Sequence, residues 1–373
     1  MSAQAIPSPS IVYVSGSRWT DVAGTDRQLA IAIGRRLPVL WVDPPSSFLT
    51  PRADGTRPRT GVDLVAPGVA RLQVVGLPGA SRPVLRDISD RWHEAAIRRA
   101  VARLGGTVDA IILSSPRTVF PALGARSRLL YVTDDWQAGA ALMGVDSRRT
   151  DRVLAANMAA ATVVAAVSPT LVDDLVQRFD RPVSVLANGC DPVDDAALGT
   201  ASQGSAVVVG QLNERLDVAL LEAVRAAGIR IDVAGPRAER DPAVSQQLDQ
   251  FLSAPGVTWH GRLDKDELKA LLREATVGLT PYADTEFNRA SFPLKTLEYL
   301  ASGLRVVSTD LPAVHWLDSD LVVIADGPDR FAAAVGAATM VPLAAEERRA
   351  RLSFARTHSW DARVSELVEL IGV

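Results

Sequence analysis

Short, largely apolar runs rich in β-branched residues recur along this chain, most of them followed by a polar turn and a helical pattern. Ile11–Val14, Val39–Val42, Leu72–Val75, Ala110–Leu113, Leu129–Val132, Thr162–Val167 and Val183–Leu186 form one series. Ala206–Val209, Ile231–Ala234, Val257–Trp259, Val277–Thr280, Arg305–Ser308 and Leu321–Ile324 form a second. Strands without a polar face are buried on both sides, as in parallel sheets. Helical patterns over 25–36, 84–104, 148–160 and 169–178, and again over 215–227, 242–253, 264–274, 328–340 and 344–356, supply the crossovers. The alternation, run through twice, predicts an α/β chain of two Rossmann-like, doubly wound parallel-sheet domains facing a cleft. A length of 373 residues, too much for one ordinary core, agrees.

The small, polar stretch 193–204 is expected to link the halves, giving a first domain over 1–195 and a second over 204–357. Residues 46–68 and 281–290 read as loops, the former rich in Pro, Gly and charge. Ligands in such sheets lie beyond the C-terminal ends of the strands. Asp134 and Asp135 follow one strand end, Gly16 another and Gly210 a third. Either aspartate could orient or deprotonate a hydroxyl, with a turn or cap as the plain alternative. Gly16 suits a close backbone approach to substrate or a simple turn.

One helix stands out at Ser291–Gly303. Ser291 suits an N-cap, Pro293 the first turn and Gly303 the stop. Leu294, Leu297, Leu300 and Ala301 make a buried stripe. Lys295 and Glu298, three residues apart, are neighbours near the N-terminal end. Free N–H groups and the helix dipole there attract phosphate, so this is a candidate nucleotide-diphosphate site.

Other classes lose support. The net charge of −3 lacks the basic excess of a nucleic-acid binder. Cys190 is the single cysteine, so no disulfide forms within the chain and a reducing compartment is expected. Met1–Ser10 lacks the basic start of a signal peptide, and no run reaches the ~18 apolar residues of a membrane span. No dinucleotide, Walker or nucleophile-elbow motif occurs. His93, His260, His315 and His358 lack metal-ligand spacing, and no metal is expected. Arg98, Arg99 and Arg103 form a solvated helix face or a contact for an acidic membrane surface, and the expected location is cytoplasmic, at the inner face of a membrane.

Phe292-Pro-Leu-Lys-Thr-Leu-Glu-Tyr-Leu-Ala-Ser-Gly-Leu-Arg-Val-Val-Ser-Thr-Asp-Leu-Pro312 resembles the donor-site segment of GT-B fold glycosyltransferases, in particular the group 1, family 4-like proteins. Val207-Val-Val-Gly-Gln-Leu212, Val257-Thr-Trp-His-Gly-Arg-Leu263 and the turn Ala187-Asn-Gly-Cys-Asp191 are similar to further segments of that family. The closing Ser359-Trp360 helix, within 358–373, resembles the one that crosses back onto the first domain. The likeness covers about residues 160–373; the first half shares the strand–helix alternation and the Asp134-Asp135-Trp136 turn.

The resemblance implies a metal-independent, retaining transfer from a nucleotide-diphosphate sugar to a hydroxyl acceptor (a glycan, a lipid-linked sugar or a small natural product). It implies that Glu298 holds the ribose and that Arg215 and Lys295 neutralise the diphosphate. Gly210 and the N–H groups of Ser291, Phe292, Pro293 and Leu294 would form the cradle, of which proline supplies none. Acceptor-side residues would be Gly16, Asp134 and Asp135. The family's first glutamate falls at Ala290, which leaves two alternatives: Glu286 or Asp284 in the same loop takes its place, or the sugar is held differently. A nucleotide-sugar epimerase and a non-catalytic binder are the alternatives on the same frame.

Overall fold

The computed structural model describes residues 6–21, 24–47, 49, 59–76, 78, 83–193 and 204–373. Ten strands precede residue 193: β1 (Ile11–Ser15), β2 (Val39–Val42), β3 (Ser46–Ser47), β4 (Gly61–Ala66), β5 (Val69–Gln73), β6 (Val75–Gly76), β7 (Ala110–Ser114), β8 (Ser127–Val132), β9 (Val163–Ala166) and β10 (Ser184–Val185). Eight of them form one sheet in the order β10-β9-β8-β7-β1-β2-β5-β4, while β3 and β6 pair separately. Six more, β11 (Ser205–Val209), β12 (Arg230–Ala234), β13 (Val257–Trp259), β14 (Val277–Thr280), β15 (Arg305–Ser308) and β16 (Val322–Ile324), form a second sheet in the order β13-β12-β11-β14-β15-β16. Every pairing is parallel except β4 with β5. Strands β1, β2, β7 and β11 are buried along their whole length, which is why they read as unbroken apolar runs. The two-sheet architecture expected from the sequence is the one observed.

The region 46–68 is more ordered than its composition implies. Gly61-Val-Asp-Leu-Val-Ala66 is an antiparallel edge strand with no fully buried residue. One solvated face gives it alternating, not continuous, apolarity, and the neighbouring Pro and Gly hide that signal. Residues 48 and 50–58 of this stretch lie outside the described residues, as do 194–203 of the expected linker. Strand β5 begins at Val69, three residues before the expected start. Arg98, Arg99 and Arg103 are exposed on the helix Pro83–Leu104. No helix among the described residues is long and apolar enough to cross a membrane.

The chain ends by returning to the first sheet. Ser359 caps the helix Trp360–Ile371 by accepting the Ala362 N–H. Trp360, Val364, Leu367 and Ile371, spaced along one stripe, are buried in the core of the first half. The crossing is pinned at Cys190, whose N–H donates to His358 O at 2.9 Å and whose O accepts from Trp360 N at 3.2 Å. Burial pushes the Cys190 thiol up to about 12, and its Sγ–H faces Ala355 O, so it is a packing residue. Trp360→Ala is expected to cost about 3–5 kcal/mol of stability, read as a lower denaturation midpoint.

Candidate active site

The cleft between the sheets, about 700 Å³, is lined in large part by residues just past strand C-termini. Gly16 and Ser17 follow β1, Pro116 and Arg117 follow β7, and Thr133 and Asp134 follow β8. From the second sheet come Gly210 to Asn213 and Arg215 after β11, Arg240 after β12, and Pro281 and Tyr282 after β14. Leu294 and Lys295, at the start of the helix Leu294–Ala301, and Phe292 just before it add to the lining.

That helix is fixed from behind. Tyr299, 1% exposed, accepts the Val209 N–H on its hydroxyl at 2.7 Å, tying the helix to the end of β11. Gly210 follows with φ 146, and a Cβ on the facing Gly235 would lie 1.7 Å from Gly210 O. Only glycines let these two strand ends come together. Gly16 is tight for a different reason: a Cβ there would meet Pro116 Cδ and Ser114 O, both at 3.1 Å.

The helix start differs from the sequence expectation. A short helix, Glu286–Ala290, precedes it, and Ser291 closes that one. The Ser291 N–H donates to Phe287 O at 3.1 Å and its Oγ donates to the same carbonyl at 2.8 Å. Ser291 therefore caps nothing downstream; Pro293 occupies the N-cap position. The Leu294 N–H is also committed, to Phe292 O at 2.9 Å. The cradle expected from Ser291 to Leu294 thus reduces to Phe292. The N–H groups of Lys295 and Thr296, one step further on, are without a backbone carbonyl among the described residues.

Two cations face the cleft from this side. Lys295 Nζ lies 2.5 Å from Glu298 Oε2. Burial alone would push its pKa down, but the Glu298 carboxylate outweighs burial and raises it, so the ammonium stays charged. Glu298 sits behind Lys295 and is not itself in the lining. Arg215 donates from Nε to Asn288 Oδ1 at 2.8 Å and packs its guanidinium over Tyr282 and Phe287 at 5.1 and 5.0 Å. No carboxylate pairs with Arg215 among the described residues.

Carboxylates line the opposite wall. Asp134 is there, whereas Asp135 is not. Asp135 Oδ1 accepts the N–H groups of Gln137 and Ala138, so it is the turn residue of the pair. Burial pushes Asp134 up to about 6, against the pull of Arg215 and with the charges of Asp26 and Asp135 adding to it. The folded state therefore holds the Asp134 proton more tightly than the unfolded chain. Stability is highest below pH 4 for this group and falls as pH rises through 6, by on the order of 3 kcal/mol. Asp134→Asn is expected to remove that slope, making the variant more stable than wild type at pH 7 in denaturant titrations at pH 4 and 7.

Asp26 gave no signal in the sequence, where it is one acidic residue in a helix's first turn. In the structure it accepts Tyr13 OH on Oδ1 and Ser15 Oγ on Oδ2, both at 2.9 Å, and lines the cleft. Burial raises its pKa, opposed by the hydroxyls of Ser114, Tyr13 and Ser15.

Position 290, where a sugar-holding glutamate was expected, is packed away. Ala290 is 6% exposed and its carbonyl accepts Ser168 Oγ from the first half at 2.6 Å. Neither suggested replacement reaches the cleft. Asp284 is paired with Arg289 in solvent, and Glu286 is exposed in the first turn of its helix. No group of three His, Cys, Asp or Glu among the described residues could hold a metal, and no histidine is in the lining.

Residues 204–339 match the family model of glycosyl transferases group 1. A Bacillus subtilis protein named for teichuronic acid biosynthesis as glycosyltransferase TuaH is 30% identical over 142 residues, 37% of this chain. The matched part is about a third of that relative, 35% of its length. Among solved structures, sucrose-phosphate synthase of Thermosynechococcus elongatus superposes with a TM-score of 0.69 at 15% identity, over 96% of this chain and 97% of the other. The Anabaena protein HepE, solved with UDP and glucose, gives 0.63 at 12% identity over 97% and 99%. At such identities these likenesses establish the fold.

Proposed function

We infer that this chain, a GT-B protein whose residues 204–339 are a group 1 glycosyltransferase domain, transfers a sugar from a nucleotide-diphosphate sugar to a hydroxyl acceptor in the interdomain cleft. The observation that carries it is one pair of cations facing one pair of carboxylates across the cleft. Arg215 and Lys295 stand on the wall built by the second sheet, and Asp134 and Asp26 on the wall built by the first.

Transfer breaks the bond between the anomeric carbon and the diphosphate oxygen. The electron pair leaves with the diphosphate, so negative charge grows there. Arg215 and Lys295, already oriented by Asn288 and Glu298, stabilise that charge without reorganising. The N–H groups of Phe292, Lys295 and Thr296 and the Gly210 backbone add donors. Glu298 holds Lys295 from outside the lining, and the ribose contact that the resemblance implies falls to its second oxygen. Asp134 binds the acceptor hydroxyl, and with a pKa near 6 it is ionised at pH 7 and able to take the proton released as the new bond forms. Retention at the anomeric carbon belongs to the same reading. The lack of a histidine in the lining favours transfer over epimerisation, for which catalytic histidines were expected.

Ala290 leaves the donor sugar without the expected carboxylate, so its hydroxyls are held by other groups of the cleft. Incubation of the purified protein with UDP-, GDP- and TDP-sugars tests the reading through release of nucleoside diphosphate. EDTA is expected to leave the rate unchanged, since basic side chains carry the charge. Loss of activity restored by Mn²⁺ would sink the metal-independent mechanism, and no release from any donor would leave only a binder.

A further inference from the structure

We propose that the acceptor carries a fixed negative charge, a phosphate or a carboxylate, and that Arg117 and Arg240 bind that group in the cleft. The proposal rests on the transferase reading and narrows its acceptor class. Arg117 comes from the first half, just after β7; Arg240 comes from the second, at the end of the loop after β12. They converge on one segment. Arg117 Nη2 donates to Met143 O at 3.1 Å, and Arg240 Nε donates to Leu142 O at 3.0 Å. Both arginines line the cleft, as do Leu142, Met143 and Val145.

The segment is shaped to receive them. Gly144 has φ 61, and a Cβ on it would lie 3.0 Å from both Nη1 and Nη2 of Arg240. A side chain here would be strained and would displace the guanidinium. Each arginine uses one edge on a carbonyl, and neither has a carboxylate partner among the described residues. Glu214 reaches the same loop through backbone, its Oε1 accepting the N–H groups of Arg240 and Asp241 at 2.5 and 2.7 Å while its Oε2 is buried without a hydrogen-bond partner among the described residues, and it makes no ion pair with either guanidinium. Burial, with repulsion from Arg18 and Arg240, holds the Arg117 guanidinium below its usual value. Like charges gathered without a paired carboxylate among the described residues cost free energy that an anionic ligand would recover. Guanidinium forks match the oxygens of phosphate and carboxylate.

These two are separate from the cations assigned to the leaving diphosphate. Arg215 is held by Asn288, Tyr282 and Phe287, and Lys295 by Glu298. A second anchored cationic pair in one cleft calls for a second anion, and the acceptor supplies it.

The test is calorimetric titration of the full chain, saturated with whichever nucleoside diphosphate binds best, with glucose, glucose 6-phosphate and glucuronate. At least one anionic sugar is expected to bind ~30-fold more tightly than glucose, and the preference is expected to fall below ~3-fold in the double variant Arg117→Gln/Arg240→Gln. The better of the two anionic probes identifies phosphate or carboxylate as the recognised group. Nucleoside diphosphate affinity is expected to be unchanged in the double variant. Equal binding of all three sugars, no measurable binding of either anionic sugar, or a preference that survives the substitutions overturns the proposal. So does a fall in nucleoside diphosphate affinity in the double variant, which would make these arginines donor ligands. Thermal melts of the double variant, with Arg240→Lys as the milder change, separate loss of the site from loss of the fold. A wild type that binds no nucleoside diphosphate would remove the transferase reading, and this proposal with it.

Discussion

Lys295→Ala is expected to lower the rate of sugar transfer by about 100- to 1,000-fold, the usual loss on removing one preorganised group that stabilises developing charge. The ammonium lies in the cleft lining, and Glu298 keeps it protonated well above neutral pH. Charge on the leaving oxygen grows as the sugar–phosphate bond breaks, so the fixed cation is worth more in the transition state than with the intact donor. The loss should therefore fall mainly on kcat, with a smaller rise in the donor KM. The fold should survive, because the Lys295 side chain is still 24% exposed and lies in the cleft lining, paired with the part-exposed Glu298. Unchanged melting with a rate within ~3-fold of wild type would remove Lys295 from the mechanism.

Glu298→Ala is expected to weaken nucleoside diphosphate binding by about 10- to 100-fold, the worth of a charge-assisted hydrogen bond. Two contributions are separable. Loss of a ribose contact weakens nucleosides, monophosphates and diphosphates alike. Loss of the hold on Lys295 weakens only ligands that carry the diphosphate. Titration with the nucleoside, its monophosphate and its diphosphate reads both, and equal affinity of variant and wild type for all three would end the ribose role. The second contribution is expected wherever Lys295 acts, since Oε2 is 2.5 Å from Nζ.

Features formed within a few residues of sequence were legible before the fold was known. Runs such as Val39–Val42 and Val277–Thr280 show burial on both faces directly. Lys295 and Glu298 show their pairing through helical spacing. Gly16, Gly210, Asp134 and Arg215 follow strands, and parallel topology carries strand ends to one cleft.

What stayed hidden depends on longer-range partners. The serine at 291 looks like an N-cap until the helix Glu286–Ala290 is known to precede it and claim both of its donors. Asp134 and Asp135 look equivalent in sequence, and only the turn to Gln137 and Ala138 separates them. Arg117 and Arg240 are 123 positions apart in the numbering and meet only through Leu142 and Met143. Ala290 reads as a missing carboxylate in a motif, whereas the structure shows a position buried against Ser168.

The cleft is expected to bind a nucleoside diphosphate through Arg215 and Lys295. Calorimetric titration of UDP, GDP and TDP into wild type and into Arg215→Ala/Lys295→Ala tests it most directly. One diphosphate is expected to bind the wild type with micromolar affinity and to lose at least ~100-fold in the double variant, while its nucleoside is little affected. Equal affinity of the two proteins for that diphosphate, or no binding of any diphosphate to the wild type, would contradict it.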